Sequence, residues 1–211
     1  MSRTRLIRSC RKWMVRQYGR RNAPKKIMKE AESVLDDDVL TIGFARRFAA
    51  YKRSNLLLND MDRLEAILKN EQHPVQFIFA GKAHPMDNEG KRLVQQIVHL
   101  ARNPAYRHKI LFLEDYDIDI ARHLIQGADV WLNNPRRPLE ACGTSGIKAA
   151  ANGVLNVSIL DGWWCEGYSP ETGWAIGTGE EFTDHHYQDA VESHALYNVL
   201  ENDVIPCFYH R

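Results

Sequence analysis

The chain has 211 residues, enough for one α/β domain with a good core, and a formal net charge of +1, which excludes a polyanion partner recruited by bulk charge. Its four cysteines (Cys10, Cys142, Cys165 and Cys207) lack CxxC spacing, so neither a zinc site nor a disulfide framework is predicted, and reduced thiols in a cytoplasm fit best. No apolar run reaches membrane-spanning length and no HExxH-type pair occurs among the nine histidines, so no membrane, nucleic acid or metal is expected.

The ends differ in charge. Residues 1–30 carry eleven Lys and Arg against one Glu, whereas residues 161–211 are acidic. An RNA- or membrane-binding arm is one reading of that start. The preferred one is a basic helical segment over 1–38, whose apolar side (Leu6, Ile7, Trp13, Met14) packs on its own protein with its cations free to meet the acidic C-terminal segment.

In chain order, the periodicity predicts helices over 3–18 and 25–35 and a first strand over 39–44. A helix follows through Leu56, Leu57, Met61, Leu64, Ile67 and Leu68, then a strand over 75–80 that Gly81 ends. Asp87 opens a helix carrying Leu93, Val94, Ile97 and Leu100, and a third strand covers 110–113. A helix near 118–125, a strand over 130–132, a short helix bearing Lys148 and a fifth strand over 154–160 come next. A Gly/Trp-rich loop and a terminal helix over 186–202 complete the chain. Five β-α repeats predict a Rossmann-like parallel sheet with helices on both faces, over residues 39–211.

Ligands of such sheets gather beyond the C-terminal strand ends. The polar clusters fall there: Arg46 and Arg47 after the first strand, Lys82 after the second, Glu114, Asp115 and Tyr116 after the third, residues 133–140 after the fourth, and residues 161–164 after the fifth. Arg46, Arg47, Lys52 and Arg53 cannot all be buried without anions, because desolvating unpaired charge is costly. A solvated face is the bland account; two phosphates, or one dianion plus carboxylates, is the sharper one. The turn Gly143, Thr144, Ser145, Gly146 leads into a helix, so its amides can bind phosphate, and Lys148 lies within the first helical turn. By residue type alone this is an anion site beside an amine. Glu114, Asp115 and Tyr116 read first as a cap of the following helix and second as an acid pair with a phenol. Trp163, Trp164 and Trp174 can stack on a sugar or form a small core of their own.

The segment from Glu140 through Lys148 to Gly153, followed by residues 159–162, resembles the cofactor-lysine segment of the α-glucan (glycogen, starch, maltodextrin) phosphorylases. Residues 46–53 resemble the phosphate-binding segment of that family, and residues 79–84 and 111–116 match two further signatures in the right order. The resemblance runs from about residue 39 to the end and is closest to the short bacterial and archaeal type.

It implies the C-terminal half of a GT-B fold and reversible phosphorolysis of terminal α-1,4-glucosyl units to glucose 1-phosphate. Pyridoxal 5′-phosphate would sit on Lys148, with its phosphate relaying a proton to the substrate phosphate. By position, Lys148, Arg47 and Lys52 would be catalytic; Thr144, Ser145, Gly146, Arg46, Lys52 and Tyr116 would hold the cofactor; Arg47, Glu140, Cys142 and Gly143 would hold substrate. Ala49 and Ala50 stand where larger members have His and Glu, Cys142 where they have Ser, and Ile147 where Met is usual. The family's long N-terminal domain has no counterpart here, which implies a fragment, a truncated product or a split subunit, inactive alone, with a homo-oligomer among its partner options. Two rivals remain: a nucleotide-sugar-dependent glucosyltransferase domain, glycogen-synthase-like, and a non-catalytic carbohydrate-binding module.

Overall fold

The computed structural model describes residues 3–210. Six strands form one parallel sheet: β1 (Leu40–Ala45), β2 (Val75–Ala80), β3 (Ile110–Leu113), β4 (Val130–Asn133), β5 (Leu155–Ile159) and β6 (Gly173–Ile176). Their spatial order is β3-β2-β1-β4-β5-β6, so the chain starts mid-sheet, winds to one edge and then returns to build the other. The order reverses between β1 and β4, where ligands collect in doubly wound sheets. β1 to β4 are buried along their whole length, which is why they read as continuous apolar runs rather than alternating ones.

Helices α1 (Arg3–Gly19), α2 (Lys25–Ala31), α5 (Ile118–Gly127) and α6 (Thr144–Ala151) lie on one face, sharing a core of Leu6, Ile7, Cys10, Met14, Ile78, Leu111, Leu124 and Trp131. The other face carries α3 (Met61–Lys69), α4 (Asn88–Arg102), α8 (His185–Val199) and α9 (Ile205–Tyr209), packed on Phe44, Phe77, Phe79, Phe112, Leu196 and Tyr197. A short α7 (Trp164–Gly167) precedes β6. Among the described residues no helix is long and apolar enough to cross a membrane.

Leu6, Ile7 and Met14 are buried as the sequence predicts, and Trp13 is half-buried against His123. Among the described residues, however, no cation of α1 or of the turn after it pairs with an acid of the C-terminal segment, because α8 packs on the opposite face of the sheet; Arg3 reaches that segment only at Phe208, 5.2 Å from the ring centre. The pairs form instead at the rim and base of the same face: Arg20 and Arg21, in the turn just after α1, with Asp115 and Glu114, and Arg3 of α1 with Asp129 at 2.9 Å. Helix α1 approaches α5 so closely that a Cβ on Gly127 would lie 2.6 Å from the Leu6 Cβ.

Other boundaries moved for local reasons. Helix α2 stops at Ala31, and Leu35 takes a left-handed φ of 61° with its carbonyl held by Arg11 at 2.7 Å. The helix predicted through Leu56 and Leu68 is split. Asp60 leaves helical geometry and accepts from the Arg63 amide at 3.0 Å, so a 3-10 turn at Leu56–Asn59 precedes α3. Helix α5 is capped by Asp117, whose side chain takes the Ile120 amide at 2.9 Å, and not by Glu114–Tyr116, whose acids go to Arg20 and Arg21. Strand β6 is an addition to the five expected. It is four residues long and begins at Gly173, whose Cβ would fall 2.1 Å from the Asn156 carbonyl oxygen, so glycine permits the pairing with β5.

Candidate functional site

The C-terminal ends of β1 and β4 diverge around a cavity of about 500 Å³. Arg46, Arg47, Lys52, Tyr116, Glu140, Cys142, Gly143, Thr144, Ser145 and Lys148 all line it, from stretches about a hundred residues apart in sequence. Gly146 is the one predicted site residue that does not. It lies buried beneath the turn, its amide bonded to the Gly143 carbonyl at 3.1 Å, so it has no free donor to offer a ligand.

The loop after β1 is shaped before any ligand arrives. Phe48 is fully buried and its amide reaches the Lys82 carbonyl at 2.9 Å, which turns the chain back over the sheet. Gly81 makes this possible: at φ 152°, a side chain there would place Cβ 2.0 Å from the Arg46 carbonyl oxygen. Arg53 then stitches this loop to the one after β4. Its Nε and Nη2 donate to the Asn134 and Pro135 carbonyls at 3.0 and 2.7 Å, and Nη1 pairs with Asp189 and Glu192. Of the four cations in this segment, Arg53 is therefore a structural bridge and needs no anion from solution.

The other three differ. Arg46 is buried, and Nη2 lies 2.5 Å from Glu140 Oε2 while Nε and Nη1 have no hydrogen-bond partner among the described residues. Burial pulls its pKa below the ordinary arginine value, the charge of Glu140 pulls it back up, and the guanidinium stays charged. Lys52 Nζ reaches the same Glu140 oxygen and lies 4.7 Å from the centre of the Tyr51 ring. Arg47 is exposed and, like Lys148, has no ion pair or hydrogen-bond partner for its side chain among the described residues.

Opposite them stands the start of α6. The Thr144 and Ser145 amides take no acceptor among the described residues, and Gly143 at φ 83° sets the turn. The turn is held from below. A Cβ on Gly146 would fall 2.7 Å from Trp163 Nε1, 2.9 Å from Asn156 Oδ1 and 3.0 Å from Asn133 Nδ2, so only glycine lets α6 sit this low. The preceding loop is fixed by Asp161, whose Oδ2 accepts the Glu140 amide at 2.9 Å, and by the Trp163 amide, which donates to the Cys142 carbonyl at 2.8 Å. Gly162, at φ 55°, lets that contact form.

Tyr116 lines the far wall. Burial first, and the charge of Asp117 second, raise its pKa above the usual phenol value, so it stays neutral at neutral pH. Asn133 and Asp161 fall in the polar clusters that the sequence places at the rim, without an individual role, and Trp131 was read only as part of the fourth strand. Trp131 donates from Nε1 to Ser145 Oγ at 3.4 Å, and its ring fills the space Gly43 leaves on the paired strand, where a Cβ would lie 3.3 Å from the indole. A glycine inside an apolar strand was the available signal for that tryptophan. A larger groove of about 650 Å³ between α3 and α4 holds one arginine and one glutamate and no comparable cluster.

In chemical terms the cavity offers the cations Arg46, Arg47 and Lys52, the exposed Lys148 amine, two free amides, a neutral phenol and one carboxylate. That set suits two closely spaced dianions beside a polar substrate. Comparison with known proteins points to one family. The family model for Carbohydrate phosphorylase matches residues 8–198. A glycogen phosphorylase of Aquifex aeolicus (strain VF5) is 49% identical over 210 residues, all of this chain but 30% of that protein. A glycogen phosphorylase of Mycobacterium tuberculosis (strain H37Rv) is 49% identical over 209 residues and 24% of its own length. A maltodextrin phosphorylase of Thermococcus litoralis is 50% identical over 177 residues, 84% of this chain and 21% of that protein. The chain thus spans less than a third of each of these relatives. With the match running through every strand of the sheet and both loops that form the cavity, the chain belongs to the carbohydrate phosphorylase family.

Proposed function

We propose that this chain is the cofactor-carrying, C-terminal half of an α-glucan phosphorylase of GT-B architecture, acting on terminal α-1,4-glucosyl units with inorganic phosphate to give glucose 1-phosphate. The observation that carries this reading is the convergence of Arg46, Arg47, Lys52 and Lys148 on one cavity that also receives the Thr144 and Ser145 amides.

Pyridoxal 5′-phosphate fits the residues present. Among the described residues Nε and Nη1 of buried Arg46 and the Thr144 and Ser145 amides have no acceptor, which asks for an anion, and the exposed Lys148 amine has no competing partner. Lys148 would hold the carbon end, and Thr144, Ser145, Arg46 and Lys52 the phosphate end, with Tyr116 alongside. The chemistry the bound group supplies is proton transfer at the substrate phosphate. Arg47 would grip that phosphate, and the cations together would let two dianions sit close despite their repulsion. Glu140, Cys142 and Gly143 would face the glucosyl unit, where the carboxylate can accept from sugar hydroxyls.

The relatives are more than three times as long as this chain, so the glucan-facing wall would come from sequence beyond it or from a partner chain. Without that wall water enters, and turnover by residues 1–211 alone is not expected. The free thiols of all four cysteines support a reducing, cytoplasmic setting.

The test is incubation of the chain with pyridoxal 5′-phosphate, borohydride reduction and peptide mapping. The expected result is a single adduct on Lys148, absent from Lys148→Ala. A folded chain that yields no adduct, or labels other lysines equally, defeats the reading.

A further inference from the structure

We propose that Glu140 is an internal counter-ion, occupying the cations Arg46 and Lys52 until a phosphate dianion displaces it and frees its carboxylate for the sugar. This rests on the phosphorylase reading above and adds an order of binding to it.

A single oxygen, Glu140 Oε2, receives both Arg46 Nη2, at 2.5 Å, and Lys52 Nζ. The three side chains are only 5%, 11% and 9% exposed for Arg46, Lys52 and Glu140, so water screens none of them well. Bare buried charge is costly, and among the described residues Glu140 is the only acid lining the cavity, so it neutralises the pair when no other anion is there. The arrangement is incomplete, because among the described residues Arg46 Nε and Nη1 find no hydrogen-bond partner and its fork is used at one prong. A phosphate brings about two charges and several acceptor oxygens, and can engage a guanidinium bidentately. It is therefore the stronger ligand for the same two cations.

Displacement needs little motion. The Glu140 main chain is anchored by its amide on Asp161 Oδ2 at 2.9 Å, so only the side chain has to turn. Once turned, the carboxylate has lost both cations and becomes an open acceptor for hydroxyl groups. Phosphate and sugar binding are thereby linked, and the linkage is reciprocal. Sugar arriving first would find the carboxylate engaged.

The experiment titrates the whole chain with inorganic phosphate and with glucose 1-phosphate by calorimetry, in wild type, Glu140→Gln and Glu140→Asp. Removing the competing charge is expected to tighten inorganic phosphate by about tenfold in Glu140→Gln, the scale of one close charge pair. Glucose 1-phosphate should bind more tightly than phosphate in wild type and lose that advantage in Glu140→Gln. Unchanged or weaker phosphate binding by folded Glu140→Gln overturns the proposal. If that variant does not fold, Glu140→Asp decides: its shorter reach should tighten phosphate, and unchanged or weaker binding overturns the idea. A wild type that binds no phosphate beside a variant that does supports the counter-ion, and absence of binding in both overturns it. Adduct formation at Lys148 is scored separately, so loss of the phosphorylase reading is told apart from loss of this one.

Discussion

Arg53 Nη1 lies 2.5 Å from Glu192 Oε2, with the two side chains 3% and 6% exposed, which ties the loop after β1 to helix α8. The same guanidinium holds the carbonyls of Asn134 and Pro135, so the geometry of the cavity's two loops depends on a residue that does not line it. Arg53→Met removes one partner of a buried pair and leaves Glu192 uncompensated. The expected loss is about 3–5 kcal/mol in urea unfolding. A loss below about 1 kcal/mol would show that the bridge contributes little.

Gly146 gives a second structural prediction. Gly146→Ala forces a methyl against Trp163 Nε1 and Asn156 Oδ1, both under 3 Å away, and lifts the start of α6. We expect a loss of about 1–3 kcal/mol, as for overpacking elsewhere. Labelling of Lys148 by pyridoxal phosphate should fall with it. Retained stability together with retained labelling would refute this account.

Lys148 and Arg47 should behave in the opposite way. Both are exposed and lack partners among the described residues, so Lys148→Ala and Arg47→Ala should alter stability by no more than about 0.5 kcal/mol. Their effects should appear in ligand binding: loss of the adduct for the first, weaker phosphate for the second. Unfolding of either variant would mean that the side chain supports the fold.

Tyr197 sets an alkaline limit. Burial is the main cause that raises its pKa, the charge of Asp60 adds to it and Arg63 opposes, and its hydroxyl donates to the Leu57 carbonyl. The folded state thus favours the protonated phenol. That contribution is complete below the unfolded value, about 10, and is lost as pH rises toward the folded one. The urea midpoint should fall above about pH 10, and less steeply in Tyr197→Phe. Equal slopes in the two proteins would remove Tyr197 as a cause.

Much of this fold was legible because its determinants are local or periodic. The apolar runs that became β1 to β5, the stripe on α4 with Asp87 at its start, and Gly81 closing β2 each state a preference within a few residues. Strand β6 was not legible, since its four residues, Gly173 to Ile176, become a strand only through pairing with β5. Nor was the split at Asp60, where a side-chain cap overrode helical spacing.

The chain by itself determined which chemical groups lie at the rim: cations after β1, a small-residue turn before Lys148, and one carboxylate at Glu140. It could not assign partners to those groups, because charge type is a property of a residue and pairing is a property of distance. Only the tertiary structure separated Arg53, committed to Asp189 and Glu192, from Arg46, whose guanidinium is half used, and from Arg47, which is free of any partner among the described residues. The topology that brings β1 beside β4 sets those distances, and a charge removed from water must find its counter-ion within a few ångströms.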